Sequence, residues 1–390
     1  MDSYWLLVLV VASVGIWVGL LGWRGQFWRA DVSLPPSEDS RPGPWPSVCA
    51  VIPARDEASV LPETLPSLFE QDYPGALSVV LVDDRSEDGT ATLSEDLALR
   101  WGNAHLTVIQ AEPLAPGWTG KLWALEQGIR HVQSTGAVPD YWLLTDADIC
   151  HDAHNVSRLV AKSRQDALDM VSLMVRLRCR SVWEQLLIPA FVFFFQKLYP
   201  FRWVNDPANP TAAAAGGCVL IRRETLTGIG GLEAIHRCLI DDCALAGAVK
   251  SSGGRIWLGL SQTTRSLRPY SSLAEIWNMV TRTAYTQLEY SPVLLLGTCF
   301  GMLLIYGVPP VATLVGAVMG DLPVVIAGLV GWLLIALAYL PTLRLYGVSP
   351  LLALCLPAIA LLYTVMTVDS ARRHWQGQGG AWKGRTYSSG

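Results

Sequence analysis

The hydrophobic positions of this chain fall into two kinds of pattern. Tyr4–Trp23 is an uncharged apolar run of about 20 residues, long enough to cross a hydrocarbon core. Pro292–Gly320, Leu322–Pro341 and Pro350–Val368 repeat that character towards the C-terminus. Between them, short β-branched runs alternate with helical stretches, which predicts an α/β domain with a mostly parallel sheet. Ser47–Pro53, Leu77–Val82, His105–Gln110 and Tyr141–Thr145 read as strands, and Ala58–Gln71, Glu87–Trp101 and Lys121–Gln133 as the helices joining them. Glu184–Tyr199 carries Phe191, Phe193, Phe194 and Phe195 but is interrupted by Pro189, Gln196 and Lys197. An interfacial helix within 184–200 fits it best, with a buried core helix as the alternative.

The expected organisation is therefore an N-terminal anchor over 1–23, a linker over 24–46, a globular domain over 47–291, C-terminal membrane helices over 292–368 and a basic, aromatic tail over 369–390. Ser33–Pro46 is rich in proline, serine and charge, as linkers are. The start Met1-Asp2-Ser3 lacks the basic region of a signal peptide, so the first segment reads as a retained anchor. Arg24 and Arg29 then place the domain in the cytoplasm, making the chain a multi-pass protein of the inner (plasma) membrane. Three C-terminal crossings would leave Arg372, Arg373, Lys383 and Arg385 on the far side. Pro309-Pro310 is expected to break the first stretch into a re-entrant piece and a shorter element, returning the tail to the cytoplasm.

Composition agrees. Of 390 residues, 51% are hydrophobic and 16% charged, with a mean hydropathy of +0.32; soluble domains are about a quarter charged. A net charge of -4 gives no electrostatic basis for binding nucleic acid. The eight cysteines form no CxxC pair and no His/Cys ligand spacing, so they read as reduced thiols rather than a zinc site.

Acidic residues gather just past strand ends, where open α/β sheets bind ligands. Asp83 and Asp84 end the second strand, and a carboxylate there can accept hydrogen bonds from a nucleobase or ribose, or simply cap the following turn. Asp146-Ala147-Asp148 follows the fourth strand. Residues two apart on a strand face the same way, and such a pair suits Mg²⁺ or Mn²⁺ completed by diphosphate oxygens and water. Asp241-Asp242 opens a later helix, where a carboxylate serves either as a general base or as an ordinary first-turn acid. Lys121, behind Gly120, can reach phosphates or be solvated. Gly216-Gly217 allows a close backbone approach or a tight turn.

Pro53-Ala54-Arg55-Asp56-Glu57, Asp83-Asp84-x-Ser86-x-Asp88-Gly89-Thr90, Gly120-Lys121, Asp146-x-Asp148, Gly216-Gly217 with Arg222-Arg223-Glu224, and Asp241-Asp242-x-x-Leu245 occur in this order. Together they resemble family-2 inverting glycosyltransferases with the GT-A fold, a Rossmann-like nucleotide-sugar-binding α/β domain, over about residues 47 to 290. Gly117-Trp118-Thr119-Gly120-Lys121-Leu122-Trp123, Arg282-Thr283-Ala284-Tyr285-Thr286-Gln287 and the tail Gly380-Ala381-Trp382-Lys383-Gly384-Arg385-x-Tyr387 are similar to the hopene-associated enzymes of the ceramide-glucosyltransferase-like branch. The resemblance implies a single sugar moved with inversion from a UDP-sugar to a membrane lipid, in hopanoid or glycolipid biosynthesis. It implies a donor set of Pro53, Arg55, Glu57, Asp83, Asp84, Lys121, Asp146 and Arg282, metal at Asp148, and Asp242 as base with Asp241 beside it. Gly216, Gly217 and Tyr285 would face the acceptor. The Gln-x-x-Arg-Trp motif of many membrane members is replaced here by Arg282-Thr283-Ala284-Tyr285-Thr286, so acceptor binding is expected to differ. The tail residues Trp382, Lys383 and Arg385 are expected to fold back over the site, with a loose juxtamembrane anchor as the alternative. A polyprenyl-phosphate sugar synthase and a non-catalytic membrane scaffold are the competing readings.

Overall fold

The computed structural model describes residues 3–34, 44–102, 105–378, 381–382 and 385–386. After the apolar helix α1 (Ser3–Trp23), strands and helices alternate: β1 (Val48–Ala54), α2 (Leu61–Phe69), β2 (Leu77–Asp83), α3 (Thr90–Arg100), β3 (Leu106–Gln110), α4 (Gly120–Thr135) and β4 (Tyr141–Thr145). Next come β5 (Ile149–Cys150), α5 (Asn155–Gln165), β6 (Met170–Arg176), α6 (Val182–Leu198), α7 (Phe201–Val204), β7 (Cys218–Arg222), α8 (Arg223–Gly228), α9 (Asp241–Ser251), β8 (Ile256–Ser266) and α10 (Leu273–Thr281). The chain continues through α11 (Pro292–Met302), α12 (Val308–Met319), α13 (Leu322–Tyr346) and α14 (Leu356–Trp375), and β9 (Ala381–Trp382) pairs antiparallel with β10 (Arg385–Thr386).

Eight strands form one mixed sheet in the order β3-β2-β1-β4-β7-β6-β8-β5. The first four in sequence pair in parallel, as the buried β-branched runs predicted. Helical crossovers cover both faces, so β1 and β4 are buried at every position. Beyond β4 the pairing changes. β7 runs antiparallel to β4, with Cys218 opposite Thr145, and antiparallel to β6, while β8 runs parallel to β6. This arrangement puts the C-terminal ends of β1, β2, β4, β6 and β8 and the N-terminal end of β7 along one edge of the sheet. The acidic residues that follow β4 and open α9 collect at that edge.

Four helical stretches are long and apolar enough to cross a membrane: Tyr4–Trp23, Pro292–Met319, Leu322–Tyr346 and Pro350–Trp375. Pro309-Pro310 does not break the second of them, contrary to expectation. A proline at 309 cannot donate to the carbonyl of Ile305, but the helix widens into a π-type turn over Leu303–Gly307. The indole Nε1 of Trp17 donates to the Ile305 carbonyl at 2.7 Å instead. The helix is thereby continued by a partner on α1 rather than ended. α12 and α13 pack through small residues; a Cβ on Gly328 would stand 2.5 Å from Thr313 Oγ1.

The last stretch behaves differently. It starts beside Tyr346, whose carbonyl accepts from Arg176 of β6 at 3.0 Å. A 3₁₀ turn (Pro350–Cys355) then climbs back along α13, where Trp332 donates to the Leu354 carbonyl at 3.0 Å. α14 returns past α6, its Tyr363 hydroxyl donating to the Leu187 carbonyl at 2.9 Å. It ends on α10, with Asp369 accepting from Trp277 at 2.8 Å and Arg373 donating to Asn278 at 2.9 Å. Both ends of Pro350–Trp375 therefore lie against the α/β domain.

α6 separates that helical cluster from the sheet. Its start is fixed by a capping box between Ser181 and Glu184. Phe193 packs on Tyr339, and Phe194 packs on Tyr306 and Tyr363.

Candidate active site

A cavity of about 620 Å³ opens along the sheet edge. The end of β1 supplies Pro53 and the following loop Glu57; the loop after β4 supplies Asp146 and Asp148; α4 supplies Lys121 from its first turn; α9 supplies Asp241 and Asp242. The Gly216-Gly217 turn enters β7 opposite them, and Arg282 closes the wall from the end of α10. Met174, Leu177, Met279 and two phenylalanines of α6, Phe191 and Phe195, add an apolar part to the lining, and Ser266, Arg268, Glu275 and Asn278 a polar one.

Lys121 ties the acids together. Its Nζ lies 2.9 Å from Asp146 and 3.4 Å from Asp241, and 3.5 Å from the carbonyl of Gly216. Burial alone would lower its pKa, but Asp146 and Asp241, with Asp242 behind them, outweigh burial and hold it above the usual lysine value. Asp146 is raised from the ordinary carboxylate value, first by burial and then by Asp148 and Asp241, against the pull of Lys121.

Asp242 is held by two backbone donors, Gly216 N–H at 2.8 Å and Cys243 N–H at 2.7 Å. Glycine at 216 suits this close approach: a Cβ there would lie 3.1 Å from Lys121 Nζ and 3.3 Å from Asp242 Oδ2, so both side chains would have to give way by a few tenths of an ångström. Burial, and then Asp241, push Asp242 up to about 6, while Lys121 and the two N–H groups oppose the rise. An oriented carboxylate that titrates near neutrality is suited to accepting a proton.

Asp148 accepts a hydrogen bond from Ser266 Oγ and lies 3.5 Å from the Arg268 guanidinium, which also pairs with Glu57 at 2.8 Å. Burial lowers the Arg268 pKa, but Asp148 and Glu57 more than compensate, keeping it charged. Asp146 and Asp148 both face the cavity, a donor set suited to a hard divalent cation that takes its remaining ligands from phosphates and water. Among the described residues no cluster of three or more His, Cys, Asp or Glu forms an all-protein cage.

Not every expected residue reaches the cavity. Arg55, Asp83 and Asp84 do not line it. Arg55 instead donates to the Asp84 carbonyl at 3.0 Å and lies 3.6 Å from its carboxylate, and both aspartates are buried. The acidic turn after β2 is laced to the loop after β1: Ser86, Asp88 and Thr90 accept from the backbone N–H groups of Asp56, Ala58 and Glu57, each at 2.9 Å. Tyr285, expected on the acceptor side, is also displaced. It is 1% exposed, packs on His374 and Trp375, and bonds the Tyr290 carbonyl at 2.7 Å. The chain turns after α10 and sends Tyr285 under α14, away from the position the resemblance implied. Of the tail motif, Trp382 and Arg385 lie in the two-residue pair β9–β10, whereas Gly380, Lys383, Gly384 and Tyr387 lie outside the described residues.

Arg268 and Ser266 were missed from sequence. Ser266 ends β8 and Arg268 follows it, both more than a hundred residues from Asp148, and no local motif marks them.

The chain matches the family described as glycosyltransferase like family 2 over residues 46–286. An N-acetylglucosaminyltransferase of Mesorhizobium japonicum is 40% identical over 209 residues, 52% of this chain and 46% of that protein. Another, from Rhizobium leguminosarum bv. viciae, is 38% identical over 71 residues, 18% and 17% of the two chains. The chain thus spans less than half the length of either relative. The solved mannosyltransferase PcManGT from Pyrobaculum calidifontis, in complex with GDP-Man and Mn²⁺, superposes with a TM-score of 0.59 at 20% identity, covering 93% of this chain and 99% of its own. That likeness establishes a GT-A-like fold.

Proposed function

The chain belongs to the family-2-like glycosyltransferases, and on that premise we propose that it moves one sugar from a UDP-sugar to the hydroxyl of a membrane lipid, with inversion. The observation that carries this reading is the make-up of one cavity wall. Phe191 and Phe195 of α6 line the same cavity as the acidic cluster, and Phe193 and Phe194 of that helix pack on the apolar helices. A hydroxyl on an apolar body can reach Asp242 along that wall with its hydrocarbon kept out of water. The acceptor class is a hopanoid or sphingolipid-like alcohol, as the sequence resemblance suggests.

In this reading Asp242 accepts the acceptor proton as the oxygen attacks the anomeric carbon and the bond to the nucleoside diphosphate breaks. Lys121 and Arg282 present positive charge to the diphosphate. Asp148, with Asp146 beside it, would hold Mg²⁺ or Mn²⁺, which when bound neutralises charge on the leaving group. Asp241 and Lys121 set the field around the base. The catalytic domain lies on the cytoplasmic side of the inner membrane. α1, α11–α12 and α13 cross, while Pro350–Trp375 re-enters and returns, which leaves Arg372 and Arg373 in the cytoplasm as the positive-inside tendency requires.

A second reading, a polyprenyl-phosphate acceptor, draws on Arg268 and Arg282, two cations lining the same cavity. An acceptor that is already an anion needs no base, so Asp242→Asn would stay active. The test is full-length protein in native-lipid nanodiscs with a panel of UDP-sugars and Mn²⁺, followed by mass spectrometry of the lipids. A neutral lipid gaining one hexose or N-acetylhexosamine, lost in Asp242→Asn, is the expected result. No new glycolipid under any donor would overturn the lipid-acceptor reading.

A further inference from the structure

A second groove, about 990 Å³, lies beyond the wall of the reaction cavity and shares Leu177, Ser266 and Pro269 with it. Four arginines line it: Arg176, Arg178, Arg180 and Arg265. The first three stand at alternate positions as the chain leaves β6, and Arg265 comes from β8, which pairs with β6 in the sheet. None of the four is used by the proposed reaction.

The charge in the groove is not cancelled. Only two carboxylates face these arginines among the described residues. Glu63 is exposed and lies 2.9 Å from Arg265. Glu184 is fully buried and lies 2.9 Å from Arg178, but it is also satisfied by the backbone N–H groups of Arg180, Ser181 and Tyr270 at 2.7, 2.8 and 2.7 Å. Arg176 and Arg180 have no carboxylate partner among the described residues. Nearby Asp152 is engaged by Arg158, Thr263 and Thr264.

Position identifies the level of the groove. Arg176 donates to the carbonyl of Tyr346, the last residue of α13, and its guanidinium lies over the Tyr346 ring at 5.9 Å. The end of an apolar helix of 25 residues marks the boundary between hydrocarbon and water, and tyrosine is at home in that layer. Arg176 therefore sits at headgroup depth, and the groove it shares with three further guanidinium groups, planar and suited to bidentate phosphate recognition, opens beside that boundary.

We propose that this groove is a docking site for the phosphate of an anionic bilayer phospholipid, separate from donor and acceptor. A lipid held there keeps the mouth of the reaction cavity pressed to the membrane, because the two spaces meet at Leu177 and Pro269. The site rests on the membrane reading but not on the reaction, so a direct binding measurement tests it without turnover.

The full chain in neutral detergent is equilibrated with equal amounts of phosphatidylglycerol and phosphatidylcholine, and retained lipid is read by native mass spectrometry. Phosphatidylglycerol is expected to dominate, and the preference to fall about tenfold in Arg180→Gln/Arg265→Gln, both exposed positions, as expected for lost charge-assisted phosphate contacts. Glu63→Gln removes the exposed counter-charge and is expected to strengthen phosphatidylglycerol binding, a gain that misfolding cannot mimic. Equal retention of the two lipids, or an unchanged preference in the double variant, would overturn the site. Displacement of the lipid by millimolar inorganic phosphate would reassign it to a free anion.

Discussion

Replacing Asp242 with asparagine keeps the side chain's size but removes its capacity to take a proton. Its carboxylate sits between the N–H groups of Gly216 and Cys243, so its orientation does not depend on substrate. The rise from 3.8 to about 6 corresponds to about 3 kcal/mol in favour of the protonated carboxyl. A base must be ionised to act, so the sign is unambiguous: activity is present above this value and is lost as pH falls through it. About nine-tenths of the enzyme is competent at pH 7 and about one-tenth at pH 5. We expect kcat/KM to fall about tenfold over that interval, along a limb centred near 6. Asp242→Asn should lower kcat by roughly 10²–10⁴ and abolish the limb, with donor affinity by calorimetry nearly unchanged. Asp241→Asn keeps the base but removes the neighbouring negative charge, so its limb should move to lower pH. Initial rates of nucleoside diphosphate release from nanodisc-held enzyme measure all three. An asparagine variant as fast as the native enzyme, or a flat native profile from pH 5 to 7, would refute the assignment.

Lys121→Met leaves Asp146, Asp241 and Asp242 without their shared cation, at a cost of about 3 kcal/mol. The loss should be small at pH 5, where Asp146 and Asp242, both raised by burial, take up protons, and larger at pH 8, because groups whose folded pKa is raised lose stability as pH rises through it; denaturant unfolding at the two pH values reads the difference. Arg268→Ala frees Asp148 and Glu57, so calorimetric titration should show tighter Mn²⁺ binding to the donor-free protein. Tyr285→Phe should cost about 1 kcal/mol through the lost bond to the Tyr290 carbonyl, with turnover retained; an acceptor KM raised tenfold would return Tyr285 to the site. Glu184→Gln should destabilise by about 1–3 kcal/mol at neutral pH. Because backbone N–H donors and Arg178 hold Glu184 below its usual value against burial, the deficit should shrink as pH falls and the native carboxylate is itself protonated.

Much of this molecule is written in local pattern. The four parallel strands, the helices between them and the apolar segments follow from periodicity and run length, because each pattern reflects burial that neighbouring residues share. Asp146 and Asp148 could be placed at a strand mouth for the same reason. The second half of the sheet could not. Whether β7 joins parallel or antiparallel is settled by long-range pairing, and that choice brings Gly216 to Asp242.

The sequence by itself therefore determined the fold class, the apolar helices and most of the acidic residues around the cavity, since these depend on composition and short spacing. Only the tertiary structure decided which charges meet. It joined Lys121 to Asp146 and Asp241, turned Asp83 and Asp84 inward, sent Tyr285 beneath α14 and brought Arg268 to Asp148 across 120 residues of chain. It also kept the proline-bearing helix whole, because the partner for the Ile305 carbonyl is Trp17, at the other end of the chain. Contacts of that range leave no period in a sequence, because they arise from how packed elements face one another.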